Sequence, residues 1–372
     1  MTKKSLIMLA VGDIALQEQQ GELFLSLAAP VLRSGDVVIG QAEVLFTSRG
    51  ISTFVGMVHT AKACPPGNIG ALSSAGFNVI TLAGNHTWDS GASGIEDTIT
   101  GLRNCGIASV GAGMNIDEAR RPAIIERDGT RFGFLNYNCV GLIGSWATQV
   151  KPGCAYIEII THYQITTACP GSSPEIYTFA EPRSLKAMAD DIKKLKPLCD
   201  ILVVAFHKGG DSGSSNKLAM YDQQVSYAAI DAGADLVMGH HAHMLKGIEL
   251  YKGKAIFHGL GDFVPAYSAD DKEQRLAHRF LSTYSSVIIP NDSDMSTRWS
   301  MIAKCIINDK KISQVGYIPC FINDQRQPEV LKNDEKGRQV LNFMDRMTRE
   351  SGLNTRYEWK GDEVVVCTDP NS

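Results

Sequence analysis

Six short apolar runs in this 372-residue chain each lead into residues that can ligate a metal or carry a proton. Asp13 follows the run 6–11, Glu43 lies just past 37–39, and Asn85 and His86 follow 79–82. His207 ends 201–206, His240-His241-Ala242-His243 follows 236–238, and His258 and Asp262 follow 255–257. Carboxylates, neutral imidazoles and an amide oxygen together suit divalent ions such as Zn, Mn, Fe and Ni. His241-x-His243 can direct two imidazoles to two neighbouring ions, and Glu43 can bridge them. Two ions roughly 3.5–4 Å apart activate a bridging hydroxide and hold a substrate oxygen. His86 precedes Asp89 by three residues, which fits an imidazole oriented by a carboxylate, a common general-acid arrangement. Asp13 or Asn85 alone would equally suit a strand end or a turn. Jointly they point to a metal site, because each falls after a different run. His59, His162 and His278 lack this context and are read as surface or lid residues.

These positions need a scaffold that brings strand ends to one edge. Most of the runs are almost continuously apolar, as strands buried on both faces are. Helical patterns lie between them at 67–75, 93–104, 182–195 and 222–232, the last closed by Gly233. This alternation predicts a layered α/β sheet, whose sites form outside the carboxyl ends of the strands. Residues 139–181 break the rhythm and are read as an insertion or lid over the site. Runs 301–307 and 312–318 read as a hairpin, 330–351 as an amphipathic helix, and 357–367 as a last strand. The expected organisation is a catalytic domain over 1–328 and a C-terminal extension over 329–372.

Composition narrows the function. Hydrophobic residues make up 44% and charged residues 20%, an ordinary globular balance. The formal net charge of −4 leaves no basic excess for nucleic acid or an anionic membrane. No apolar stretch reaches spanning length, and nine cysteines without a C-x-x-C pair suggest a reduced chain, so a cytoplasmic location is expected. No Walker loop, dinucleotide fingerprint or serine nucleophile elbow is present. The expected partner is a small molecule, and self-association is compatible with the composition. Lys208, beside His207, is read as the contact for an anionic substrate group, with Arg49 and Lys62 as weaker candidates. The glycine-rich segment 209–214 is read as a mobile loop next to it.

Four segments carry a family resemblance. They are Val11-Gly12-Asp13-Ile14; Gly76-Phe77-Asn78-Val79 running into Gly84-Asn85-His86 and Asp89; Gly106 through Gly111-Ala112-Gly113 to Glu118-Ala119-Arg120-Arg121-Pro122; and Asp231 through Gly239-His240-His241-Ala242-His243 to Gly259-Leu260-Gly261-Asp262. The chain resembles the CapA-like (poly-γ-glutamate capsule biosynthesis) branch of the calcineurin-like metallophosphatase superfamily. The resemblance implies a four-layer α/β/β/α sandwich of two mixed sheets flanked by helices, with a dimetal centre at one edge. It implies Asp13 on the first ion, Glu43 as the bridge, Asn85 and His207 on the second, His241 on the second and His243 on the first. His86 and Asp89 take the acid and orienting roles, and His258 joins the substrate contacts. The wider superfamily has Asp-x-His where this chain has Asp13-Ile14-Ala15, so one or two ions (Mn, Zn or Fe) are expected per subunit. The expected activity is hydrolysis of a small anionic phosphoester, amide or lactone by a metal-bound hydroxide. The alternative is an accessory or binding role in poly-γ-glutamate synthesis.

Overall fold

A computed structural model describes residues 5–49, 61–164, 174–210, 217–266 and 295–368. The first strands are β1 (Leu6–Ile14), β2 (Val37–Ala42), β3 (Val79–Thr81) and β4 (Ala108–Val110), joined by parallel pairing. After the short β5 (Ala112–Gly113) come β6 (Ala123–Arg127), β7 (Thr130–Asn138), β8 (Gly153–Cys154), β9 (Ile159–Gln164) and β10 (Glu175–Ala180). Then follow β11 (Ile201–Lys208), β12 (Leu236–His241), β13 (Leu245–Tyr251), β14 (Lys254–Leu260) and β15 (Asp262–Val264). The last are β16 (Trp299–Asn308), β17 (Lys311–Ile322), β18 (Pro328–Val330), β19 (Thr355–Lys360) and β20 (Glu363–Thr368). The larger sheet runs β19-β20-β17-β16-β1-β2-β3-β4, with β15 added to β1 and β18 to β17. The smaller runs β13-β14-β12-β11-β7-β6. Both mix parallel and antiparallel pairs.

Side-chain alternation along the strands sorts the core into layers. Met8 and Ala10 of β1, Ile201 and Val203 of β11, and Leu236 and Met238 of β12 meet between the two sheets. Leu9, Val11 and Val38 face outward onto α1 (Gly21–Leu25), α2 (Ala29–Leu32), α3 (Ile69–Ala75) and α4 (Gly91–Asn104), with Leu25, Leu32, Leu72 and Ile95. After the single turn α5 (Ile116–Ala119), α6 (Pro182–Leu195) and α7 (Met220–Ala232) cover the other sheet, where Met188 and Val225 meet Leu202, Val204 and Phe206. The chain therefore adopts the four-layer α/β/β/α sandwich expected of it.

The remaining expectations sharpen. Within 139–181, the described residues 139–164 and 174–181 hold a 3₁₀ turn at Ile143–Ser145, β8, and the antiparallel pair β9–β10 rather than a bare loop. The expected last strand is a hairpin, because Gly361 adopts φ +66° in the two-residue turn between Lys360 and Glu363. That hairpin extends the larger sheet through β20 and β17, and α8 (Glu335–Glu350) buries Val340, Phe343 and Met347 against the inter-sheet core. Asp334 caps this helix by accepting from Gly337 N at 2.9 Å. The eight described cysteines are free thiols, and among the described residues no helix is long and apolar enough to cross a membrane.

Candidate metal centre

Strand phase explains which side chains reach the site. Along β11, Ile201 and Val203 point between the sheets, and His207 keeps that phase. Along β1 the outward residues are Leu9, Val11 and then Ile14, a slip of one that accompanies register shifts on either side of Asp13. This bulge brings Asp13 into the inter-sheet phase and re-aims its carboxylate. Gly12 sits under it so close to Gly261 that a Cβ would lie 1.8 Å from that carbonyl oxygen. His241 and His243 leave β12 with φ of +84° and +49°. Such backbone costs about 1–3 kcal/mol per non-glycine residue and persists where the surroundings enforce it. Here Asp13 Oδ2 accepts from His241 N at 2.9 Å and Asp262 Oδ1 lies 2.8 Å from His243 Nδ1.

The ligating atoms converge in two groups that share Asp13. In one, Asp13, Glu43 and His207 each offer an atom within 4.8 Å of the others. His207 Nε2 lies 2.7 Å from Asn85 Oδ1, 3.2 Å from His241 Nδ1 and 3.6 Å from Glu43 Oε2. In the other, Asp13, His243 and Asp262 meet the same limit, and His243 Nε2 is 3.5 Å from Glu43 Oε1. Glu43 thus reaches His207 with one oxygen and His243 with the other. Asp262 is the member absent from the expected ligand set. Its signal in the sequence is a carboxylate just past the 255–257 run, and its pairing opposite Asp13 in β1–β15 brings it in. His86 Nδ1 lies 2.6 Å from Asp89 Oδ2, and His86 Nε2 lies 3.8 Å from Glu43 Oε1. Ala61 N donates to the same Asp89 oxygen at 2.7 Å.

Electrostatics distinguish the groups. Burial, then Glu43, raises the Asp13 carboxyl well above its ordinary range. Burial and the neighbouring His241 hold His207 well below 6.5, in the neutral form a metal requires. Burial opposes charge on His243 and on His86 as well. Asp262, with Glu43 and Asp13, outweighs it at His243, and Asp89 with Glu43 outweighs it at His86, so both are raised. Asp13 Oδ1 and Glu43 Oε2 are buried without any hydrogen-bond partner, in residues only 1% and 6% exposed. Buried carboxylate oxygens rarely go unanswered, and a divalent cation is what this donor set fits.

The expected substrate contacts lie elsewhere. Lys208 is expected to face an anion, but β11 runs through it, so its side chain takes the face opposite His207. It is 0% exposed, and its ammonium donates to Asp222 O at 2.9 Å and His258 Nδ1 at 3.1 Å. His258 is corrected for the same reason: Phe257 faces the inter-sheet core, so His258 faces away, 2% exposed, with Nε2 on Glu249 Oε2 at 2.9 Å. Arg49 is engaged on the surface by Asp97 at 2.5 Å and Glu96 at 2.8 Å of α4. Lys62 is exposed and is tied through its carbonyl, which accepts from Gln17 Nε2 at 2.7 Å. His162 is exposed on β9. His59, His278 and most of 209–214 fall outside the described residues.

The model of the family described as "Bacterial capsule synthesis protein PGA_cap" matches residues 7–267. The chain is 27% identical over 272 residues to the capsule biosynthesis protein CapA of Bacillus anthracis, covering 70% of this chain and 60% of that protein. It is 30% identical over 264 residues to a probable polyglutamine synthesis accessory protein of Mycobacterium tuberculosis, covering 70% and 63%. The match therefore spans about three-fifths of the length of these relatives. A crystal structure of a hypothetical protein from Thermus thermophilus aligns with TM-score 0.47 and 14% identity, over 84% of this chain and 98% of that one.

Proposed function

The chain belongs to the bacterial capsule synthesis protein PGA_cap family, and we propose that within it this chain is a metal-dependent hydrolase. The observation that carries the reading is the pair of buried, unanswered carboxylate oxygens, Asp13 Oδ1 and Glu43 Oε2, beside the imidazoles of His207 and His243. Asp13, Glu43, Asn85, His207, His241 and His243, joined by Asp262, would hold one or two divalent ions (Mn, Zn or Fe). Bound there, such ions supply Lewis-acid activation of water and of a substrate oxygen. Glu43 fixes the spacing of the two halves by reaching both His207 and His243. Asp89 accepts from His86 Nδ1 and, with Glu43, favours the imidazolium, whose Nε2–H is directed into the site to protonate the leaving group. The substrate class is a small phosphoester, amide or lactone.

A second reading, an accessory or binding role in poly-γ-glutamate (capsule) synthesis, is favoured by relatives named as a capsule biosynthesis protein and a probable polyglutamine synthesis accessory protein. Metal analysis of the purified chain followed by a hydrolase screen separates the two. Bound metal with chelator-sensitive turnover supports the enzyme. A metal-free chain inert across phosphoesters, amides and lactones overturns it.

A further inference from the structure

Lys208 stands between two candidate ligands. His207 precedes it in the chain, and His241 is its ladder partner across β11–β12. It is also the last residue of β11, and the backbone turns away at Gly209 with φ +99°. Beyond the ladder pairing and Cys139 N donating to His207 O at 2.8 Å, this strand end is held by the Lys208 side chain on the opposite face and by Gly209 N donating to Tyr221 OH at 2.7 Å.

The anchor is a closed chain of polar groups. Lys208 Nζ donates to Asp222 O on α7 and to His258 Nδ1 on β14, and lies 3.8 Å from Asp222 Oδ1. His258, accepting at Nδ1, donates from Nε2 to Glu249 on β13. Tyr227 OH and Gln223 Nε2, both on α7, donate to the same carboxylate. The positive Lys208 and negative Glu249 are thus joined through one imidazole, tying β11, β14 and β13 to α7. A lone buried ammonium would be costly, and its geometry is tolerated only while every partner is in place.

We infer that Lys208 is a positioning residue: through His258 and Glu249 it fixes the end of β11, and so sets the His207 and His241 imidazoles and the affinity of the metal half-site they share. This rests on the metal-centre reading above. Outer partners of metal ligands commonly govern affinity 10–100-fold without touching the ion.

The test uses the 372-residue chain and Lys208→Met, which keeps an unbranched side chain one atom shorter and removes its charge. Two readouts are taken. Imidazole ¹⁵N resonances of the metal-free protein report His207, His241 and His243 directly. Stepwise Mn²⁺ and Zn²⁺ titrations report each half-site. We expect the His207 and His241 resonances to move while His243 stays, and the affinity of one half-site to fall roughly 10–100-fold with the other within about twofold. Unmoved His207 and His241 resonances in a folded variant overturn the inference, as does equal weakening of both half-sites. Should Lys208→Met fail to fold, Lys208→Met/Glu249→Leu removes both charges and faces the same criteria. If wild type binds no ion, the metal reading fails, yet the metal-free resonances still decide whether Lys208 positions His207.

Discussion

Acid should destabilise the metal-free protein through its buried neutral histidines, and one substitution isolates the share of His258. His258 is pushed down to about 4 by burial and by the Lys208 ammonium, and His240 to about 4 by burial. In the unfolded chain both titrate near 6.5. Their folded values are depressed, so the stability they contribute is complete above 6.5 and is lost as pH falls toward 4. Between pH 7 and pH 5 the linkage relation makes this about 2 kcal/mol for each histidine. His207, also held neutral, adds to the loss, whereas Asp13, with its raised value, is favoured by acid. The variant His258→Gln keeps both bonds: its amide oxygen can accept from Lys208 and its amide nitrogen can donate to Glu249. It cannot titrate, and the other groups cancel when variant and wild type are compared. Urea unfolding of chelator-treated protein at pH 7 and pH 5 should show His258→Gln losing about 2 kcal/mol less than wild type. Equal acid losses in the two proteins would refute the buried, neutral His258.

Metal binding should fail with His207→Ala or Asp13→Asn, each losing at least one ion per chain after identical dialysis; full occupancy by elemental analysis would remove these residues from the ligand set. His86→Asn should retain metal while turnover drops roughly 10²–10⁴-fold, with a smaller drop for Asp89→Asn; loss of metal from His86→Asn would make it a ligand instead. Gly12→Ala must part β1 from Gly261, breaking the 3.1 Å bond from Asp13 N to Gly261 O. It should cost about 1–3 kcal/mol and lower metal occupancy, and an unchanged melting curve with full occupancy would rule out the tight fit.

The layered fold was legible because burial on both faces writes continuous apolar runs, and the site's edge was legible because polar residues interrupt those runs at their carboxyl ends. The direction of each side chain was less so. The apolar run of β11 stops at Phe206, but the strand continues through Lys208. Alternation carried two residues further assigns His207 inward and Lys208 outward, which separates a candidate ligand from a buried anchor. The same step from Phe257 assigns His258 to the outer face. At Asp13 alternation misleads, because a bulge shifts the phase and no residue type announces it. Nor do His241 and His243 advertise positive φ, since glycine is the usual marker and tertiary contacts enforce the conformation here. Glu43, Asn85 and His243 lie past the ends of β2, β3 and β12, but the polar residues of β11 and β14 are part of the strands rather than sequels to them. Their neighbours one position away belong to the opposite layer, where Lys208 and His258 meet.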